Sequence, residues 1–505
     1  MKNNFLHLAL CLLLVGVGFG CKKSFFDAPT QDGSINDGSA FKTKADFDNA
    51  VIGTYANLQG GSAAGEAWLR VPGSIMQDIV NVTVRPEPIV SYMNSNNNSF
   101  LSYWTELYKT INLANIVITR LETVPDGILT AVEKTRIDGQ VKFLRGFSYF
   151  MLTKAYGDIP MPLSPYSPEQ NTMACTPTAQ VFAQVVKDLD DAVAKLPETE
   201  DWGTAQRGRV GKGAALAYLA NTHMYLKNWP AATKASTDLL ALTRPKYELA
   251  ANMQSVFTSR NKTNPAVLKE NIFEVQYREK SGDNFQWGST PNTGHLWATN
   301  SAPRNVGNKF SAWGGWGEII MTKKVAEAYT ATDKRRTQML KLWGETYKGE
   351  LMADTMRAAD WVASLQLNGA FSTKYWHGDG DQGNLSPQNL PIFRFAEALL
   401  NYAEIQFYSG NPTAGYITLN LVRARSGVIN LPVSSSEPQF LKDIMEERRR
   451  ELLFEPNLWF HYTRTGTAKN FLQTVHGVDM QDRWKYFPIP QRERDLNPNM
   501  CANGW

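Results

Sequence analysis

Residues 394–427 read RFAEALLNYAEIQFYSGNPTAGYITLNLVRARSG. Polar side chains of the first half recur at intervals of three or four residues: Arg394, Glu397, Asn401 and Glu404. This spacing predicts a helix that ends at Tyr408. Asn411 and Pro412 are residue types that begin a helix, and Gly427 is one that follows the end of a helix. The stretch therefore predicts two helices joined by a short turn.

A second hairpin of the same kind is predicted earlier in the chain. Gly213 to Leu226 is rich in small residues, Asn228-Trp229-Pro230 supplies the turn, and Ala231 to Leu242 continues as a helix. Helix pairs with small residues at their crossing points resemble tetratricopeptide repeats, which stack because a single pair cannot bury its own apolar face. We therefore expect a mainly α-helical protein on a scaffold of tetratricopeptide-like helix pairs.

Three further helices are predicted from apolar periodicity, at residues 100–121, 132–156 and 436–454. The last begins at Ser436 with Ser-Glu-Pro-Gln, which fits a capping box. Glu446, Arg449 and Arg450 lie opposite its apolar stripe, and we expect them on a solvated face with local ion pairs.

The N-terminus has the layout of a secretory signal. Lys2 is followed by an uncharged run that is too short to span a membrane and that ends at Cys21. Residues 18–21 are similar to a bacterial lipobox, so we predict a lipoprotein signal peptide over 1–20 and acylation of Cys21. The polar residues 21–40 then form a lipid-anchored tether. The alternative is an ordinary signal peptide in which Cys21 is incidental.

Composition limits the class of protein. The chain has 505 residues, 43% of them hydrophobic and 20% charged, as is typical of a folded globular protein. Its formal net charge of +4 is too small to indicate a nucleic-acid surface. Outside the leader and Cys21 the only cysteines are Cys175 and Cys501, which can form one bridge in an oxidising compartment.

Motifs for catalysis or cofactor binding are missing from the sequence. The six histidines are scattered, no cysteine pair has zinc spacing, and neither a Gly-x-Ser-x-Gly elbow nor a Walker loop occurs. Residues 378–383 match a dinucleotide fingerprint in letters alone, and their two aspartates lack the closing glutamate of a calcium loop. We predict no metal, no cofactor and no catalytic residue, although a carboxylate pair set by tertiary structure leaves a glycosidase open.

Tryptophan is concentrated in one loop-rich stretch. Residues 281–380 are rich in Gly, Asn and Ser and hold seven of the fourteen tryptophans: Trp287, Trp297, Trp313, Trp316, Trp343, Trp361 and Trp376. A single tryptophan is commonly a core residue. For the group we favour surface loops, where an indole face can contact the apolar face of a sugar ring.

Several segments together resemble the SusD/RagB family of outer-membrane lipoproteins of Bacteroidetes. Besides the lipobox these are Phe25-Phe26-Asp27, Leu144-Arg145-Gly146, Tyr156 to Pro160, Leu390 to Glu404, Glu447-Arg448 with Glu451, and, most specifically, Phe487-Pro488-Ile489-Pro490-Gln491 with Asn497-Pro498-Asn499 and Gly504-Trp505. The chain departs from the family pattern at residues 455–462, which lose an Arg and an Asp, and after Cys21, where an acidic cluster is missing.

The resemblance implies one domain over residues 41–505, with the tryptophan-rich insert at about 281–380. It also implies a lipid-anchored protein on the exterior of the outer membrane that binds oligosaccharide, does not cleave it, and delivers it to a SusC-like TonB-dependent transporter. Peptide binding of the RagB kind is the alternative, and a helical glycosidase or lyase is a weaker one.

Eight residues are the candidate ligand contacts. Four come from family position, and of these Asp78 has an equal alternative as a helix cap: Trp68, Arg70, Asp78 and Asn81. Four come from the aromatic insert: Trp287, Trp297, Trp313 and Trp316.

Overall fold

A computed structural model describes residues 41–59, 79–81, 93–203, 206–257, 269–277, 295, 297, 301–302, 319–321, 324–347, 349–352, 370–375 and 388–505. Every structural statement below concerns these residues. In this part of the chain, no helix has the length and apolar content needed to cross a bilayer. The predicted leader and tether lie outside it.

Four helices form the N-terminal half of the scaffold: α1 (Lys44–Asn57), α2 (Asn98–Glu122), α3 (Ala131–Tyr156) and α4 (Thr178–Lys195). Capping boxes at Thr43 and Thr130 begin α1 and α3. The centre of this half is α3, whose side chains are almost all buried from Gly139 onward. Glycine at 146 permits close packing, because a Cβ there would lie 3.1 Å from the Cβ of Asp188 on α4.

Both predicted hairpins are present. The first pairs α5 (Lys212–Tyr225) with α6 (Trp229–Leu240). The later one pairs α9 (Phe395–Tyr408) with α10 (Pro412–Arg425), and Asn411 caps α10 as expected. The pairs meet where Trp229 stacks on Tyr408, with ring centroids 4.8 Å apart. Repeated helix pairs of this kind bury their apolar faces against one another, so the predicted mainly α-helical scaffold is confirmed.

Short strands connect the helical parts. In a four-stranded antiparallel sheet of order β1-β3-β7-β4, the strands are β1 (Ile79–Asn81), β3 (Ile319–Met321), β4 (Leu340–Leu342) and β7 (Ala370–Ser372). A second antiparallel pair joins β2 (Asn271–Val275) to β8 (Leu390–Arg394), and β5 (Thr346–Tyr347) pairs with β6 (Glu350–Leu351). Two short helices, α7 (Lys324–Glu327) and α8 (Lys334–Met339), precede β4.

The C-terminal part contains α11 (Glu437–Glu451), α12 (Leu458–Thr465), α13 (Ala468–Phe471) and α14 (Gln491–Leu496). Ser436 is the N-cap residue of α11, but its side chain makes no capping bond, so the predicted capping box is wrong. The solvated face expected for α11 is confirmed in part: Glu446 and Arg450 are partly exposed and form a local ion pair at 3.5 Å, but Arg449 is buried. Arg449 is 7% exposed, and the neighbouring Glu447, Arg448 and Glu451 are completely buried.

Partners from distant segments explain why these charges are buried. Glu451 accepts hydrogen bonds from three guanidinium groups, those of Arg335, Arg394 and Arg425, at 2.6 to 3.1 Å. Burial alone would raise the pKa of Glu451, but these arginines outweigh it and hold the pKa well below its ordinary value. This part of the helix therefore packs in the interior, because Glu447, Arg448 and Glu451 each pair with an opposite charge from another element. Arg449 instead donates to the Lys324 carbonyl and lies over the Phe471 ring.

A second buried polar group joins α3, α9 and α12. Lys154 donates to Asn457 at 2.9 Å, and Asn457 donates to Glu397 at 2.9 Å. Burial lowers the pKa of Lys154 and raises the pKa of Glu397. The polar face predicted for the helix that includes Glu397 is thus internal, and it fixes α9 against α3 and α12.

The C-terminal tail is covalently attached to the loop before α4. Cys175 and Cys501 form a disulfide across 326 positions of sequence, with their Cα atoms 5.8 Å apart. Asn497 and Asn499 donate to the backbone carbonyls of Met173 and Thr172 in the same loop. The sequence left open whether Cys175 and Cys501 form a disulfide, and in the structure they do.

Candidate functional site

A cleft of about 350 Å³ opens between α1, the loop 206–209 and β2. Its floor is apolar and buried, and is formed by Leu58, Phe273 and Val275. Its rim is polar, with side chains from residues 59, 206, 207, 274 and 276. A volume at the lower end of the usual range for small-molecule sites suits one short segment of a larger ligand.

The loop 206–209 is held in place by Arg209. Its guanidinium donates to Gln140 at 2.9 Å, lies 3.6 Å from the carboxylate of Asp48, and sits over the Trp202 ring at 5.8 Å from the centroid. Trp202 in turn donates to the carbonyl of Val210 at 2.9 Å. These contacts fix one wall of the cleft to the helical scaffold.

Gly208 lets this wall approach β2. Its φ of +96° lies in the left-handed region, and a Cβ at this position would lie 2.5 Å from Cγ of Gln276. A side chain would therefore be strained in its backbone and would collide with the opposite wall. Only glycine allows the observed approach of the two walls.

Hydrogen bonds also order the opposite wall. Glu274 accepts from Asn271, Gln276 and Asn389 at 2.6 to 2.8 Å, so its carboxylate is held by three amides. Gln59, the last described residue after α1, donates to the backbone carbonyl of Gln276 at 2.6 Å. The cleft thus presents amide groups in fixed positions, as hydroxyl recognition requires.

Tyr55 joins α1 to the loop 206–209. Its hydroxyl donates to Gln140 at 3.3 Å and accepts from the backbone N–H of Val210 at 3.0 Å. Burial raises the pKa of this phenol, which keeps the group neutral. It acts as a fixed hydrogen-bonding group that aligns two walls of the cleft.

Most of the predicted binding residues lie outside the described part of the chain. These are Trp68, Arg70, Asp78, Trp287, Trp313 and Trp316, together with Cys21 and residues 378–383. Asn81 is described by its backbone alone, as the last residue of β1. The aromatic site therefore stays a prediction at these positions.

Connectivity relates these segments to the cleft. The segment with Trp68 and Arg70 follows Gln59, and the segment with Trp287 follows Tyr277, whose hydroxyl donates to the Gln59 carbonyl at 3.4 Å. The two segments therefore start from neighbouring points on the cleft wall. In the four-stranded sheet, β1 pairs Asn81 with Ile319. Since Ile319 is three positions after Trp316 in sequence, the chain that contains Trp316 leads into the strand beside Asn81.

The prediction that Trp297 contacts ligand is wrong in this structure. Its side chain is 4% exposed and packs edge-on against Tyr375 and Phe454, with centroids 5.8 and 6.0 Å away. Ser301 donates to its carbonyl at 2.7 Å. The indole lies in the core because neighbouring aromatic rings from two other segments cover it, which its glycine- and asparagine-rich surroundings in sequence did not indicate.

Titratable groups of the described residues give no arrangement for metal binding. No set of three or more His, Cys, Asp or Glu side chains in this part of the chain could hold a metal ion. Lys374 is a buried amine close to Glu451, and burial lowers its pKa to about 8. It donates to Glu455 at 2.6 Å and is fully buried, so this ion pair is part of the protein core.

The cleft residues themselves were missed by sequence reasoning. Gln59, Arg207 and Gln276 come from segments far apart in sequence, and none belongs to a motif. Gly208 between two arginines is a turn signal, but turn signals do not reveal which distant strand the turn will approach.

Two family sequence models match separate segments of this chain. A sequence model described as "SusD family" matches residues 269–505, and one described as "Starch-binding associating with outer membrane" matches residues 64–226. "SusD-like protein P2" of Formosa agariphila is 26% identical, over 92% of this chain and 93% of its own. A "SusD-like protein" of Bacteroides ovatus is 22% identical over 91% of this chain and 82% of its own.

Solved structures share the fold. "Surface glycan-binding protein A from Bacteroides thetaiotaomicron in complex with laminarihexaose" superimposes with a TM-score of 0.73 at 22% identity, covering 92% of this chain and 100% of that one. A "Laminarin binding SusD-like protein" gives a TM-score of 0.74 at 21% identity, with the same coverage. At these identities the likeness concerns the fold.

Proposed function

Since the chain belongs to the SusD family, we propose that it binds oligosaccharide or polysaccharide at the cell surface and delivers it to a SusC-like TonB-dependent transporter. In this role it is a binding protein and not an enzyme. Its relatives are named as SusD-like proteins, and two similar structures are named for laminarin or laminarihexaose binding.

The observation that carries the proposal is the cleft. Its floor is apolar and its rim consists of amides and charged groups, which is the combination that contacts both the faces and the hydroxyls of sugars. The segments with Trp68 and Trp287 leave the described structure from the Gln59 and Tyr277 wall. Indole rings on these segments would extend an apolar platform away from the cleft.

Binding is tested by titrating the purified chain with a panel of neutral and acidic glycans and of peptides, by calorimetry. We expect saturable binding of at least one glycan class and no release of reducing ends over hours. Binding of peptides alone would favour the RagB-like alternative, and release of reducing ends would show an enzyme.

Anchoring and delivery need a separate experiment in cells. We propose acylation of Cys21 and an external position on the outer membrane, with the signal peptide over 1–20 removed. A Cys21→Ser variant should lose its membrane association, whereas the unmodified chain should fractionate with the outer membrane and be cleaved by external protease.

The delivery step is tested by co-purification. Co-purification with a TonB-dependent transporter that persists in detergent and in added salt would support it. Its absence under mild solubilisation would contradict it.

A further inference from the structure

Two arginines of the loop 206–209 differ in what they contact. Arg209 is occupied by Gln140, Asp48 and the Trp202 ring. Arg207 is exposed and lines the cleft, and no carboxylate of the described chain pairs with it. Arg209 thus anchors the loop, and the guanidinium of Arg207 is accessible to a ligand in the cleft.

Among the described residues, no carboxylate forms an ion pair with this guanidinium. Glu274 also lines the cleft; three neutral amides hold its oxygens in place and leave its negative charge unchanged, so the anionic group of a ligand has to bind on the Arg207 side. Asp48 is engaged by Arg209 and Lys44. A ligand that reaches Arg207 therefore meets a positive group whose planar donors suit a carboxylate or a sulfate.

From this geometry we infer that the cleft binds an acidic sugar unit, a uronate or a sulfated sugar, whose anionic group pairs with Arg207. The inference rests on the proposed glycan-binding function and names the ligand class. The exposed side chain of Ile52, which lines the cleft together with the buried floor, would contact the ring face. The Gln206 amide on the same rim as Arg207 would bind a ring hydroxyl.

The test uses ligand pairs in which the anionic group is present or is masked or removed. Oligogalacturonate is compared with its methyl ester, and a sulfated galactan oligosaccharide with its desulfated form, on the full chain. We expect the acidic member of at least one pair to bind about tenfold more tightly or better, as a charge-assisted contact would give, and its affinity to fall with added salt. The two pairs distinguish carboxylate from sulfate.

Three variants locate the effect. Arg207→Gln should remove the preference for the acidic member and leave affinity for the neutral one within about twofold, whereas Arg207→Lys should keep part of the preference. Arg492→Gln changes an exposed arginine on α14 and should change neither affinity. Labelling of Arg207 by phenylglyoxal should be slowed by the acidic ligand.

The outcomes separate two failures. Equal affinity for the charged and neutral members, or a preference that survives Arg207→Gln, would overturn the acidic-sugar inference while glycan binding itself stood. Binding of no glycan in the panel by the unmodified chain would contradict the proposed function and this inference together.

Discussion

The position of Gly208 against Gln276 sets the width of the cleft. A Cβ added to Gly208 would lie 2.5 Å from Cγ of Gln276, although the two residues are 68 positions apart in sequence. The distance is well inside van der Waals contact, so the loop 206–209 and β2 can meet in this way because residue 208 has no side chain.

Gly208→Ala should weaken ligand binding and reduce stability. The φ of +96° costs about 1 kcal/mol for alanine, and the collision with Gln276 adds a comparable amount or displaces the loop. Denaturant unfolding and calorimetric titration measure the two effects. Gly127→Ala is the matched control, since its φ is +84° but nothing lies within 4 Å of the added Cβ. Equal losses in both variants would show that contact with Gln276 is unimportant.

Trp297→Ala should destabilise the protein by about 3 to 5 kcal/mol, because it removes a buried indole from contact with Tyr375 and Phe454. Trp316→Ala should instead reduce glycan affinity about tenfold or more with little change in stability, as proposed for a ligand contact. Thermal unfolding and affinity measured on both variants separate the roles. A Trp316 variant that unfolds easily and binds normally would place that residue in the core.

Glu451→Gln should lower the free energy of unfolding by about 3 to 5 kcal/mol. The carboxylate is completely buried and accepts from three arginines, so its loss leaves buried positive charge without compensation. Glu446→Gln on the same helix is the control, because that carboxylate is half-buried and lies 3.5 Å from Arg450. We expect a change below about 1 kcal/mol there. Urea unfolding at neutral pH measures both.

Acid should destabilise the protein partly through Glu451. Its pKa is lower in the folded state than the ordinary value of 4.5, so its contribution is fully present above that value and is lost as the pH falls toward the folded pKa. Below about pH 4.5, the unmodified chain should lose up to about 1.4 kcal/mol per pH unit more than Glu451→Gln. Urea unfolding of both proteins between pH 7 and pH 3.5 gives the difference, and parallel curves would exclude this carboxylate as a source.

Local patterns of the sequence were sufficient for the helices and their pairing. The periodicity around Glu397 and the Asn411-Pro412 start predicted α9 and α10 to within a residue or two, because helix periodicity and capping depend on neighbours within one or two turns. The same patterns could not show which faces are buried. A row of charges such as Glu447, Arg448 and Glu451 has the same spacing whether it meets water or arginines from other elements.

The sequence by itself determined the helix-pair scaffold and the resemblance to one family, since both depend on residues close together in the chain. The tertiary structure alone decided that Trp297 is a core residue, that Cys175 joins Cys501, and that a cleft forms from residues 52–59, 206–209 and 273–276. Each of these depends on contacts between segments that are far apart in sequence, and the energy of a contact is set by which groups meet in space. No local pattern specifies that meeting.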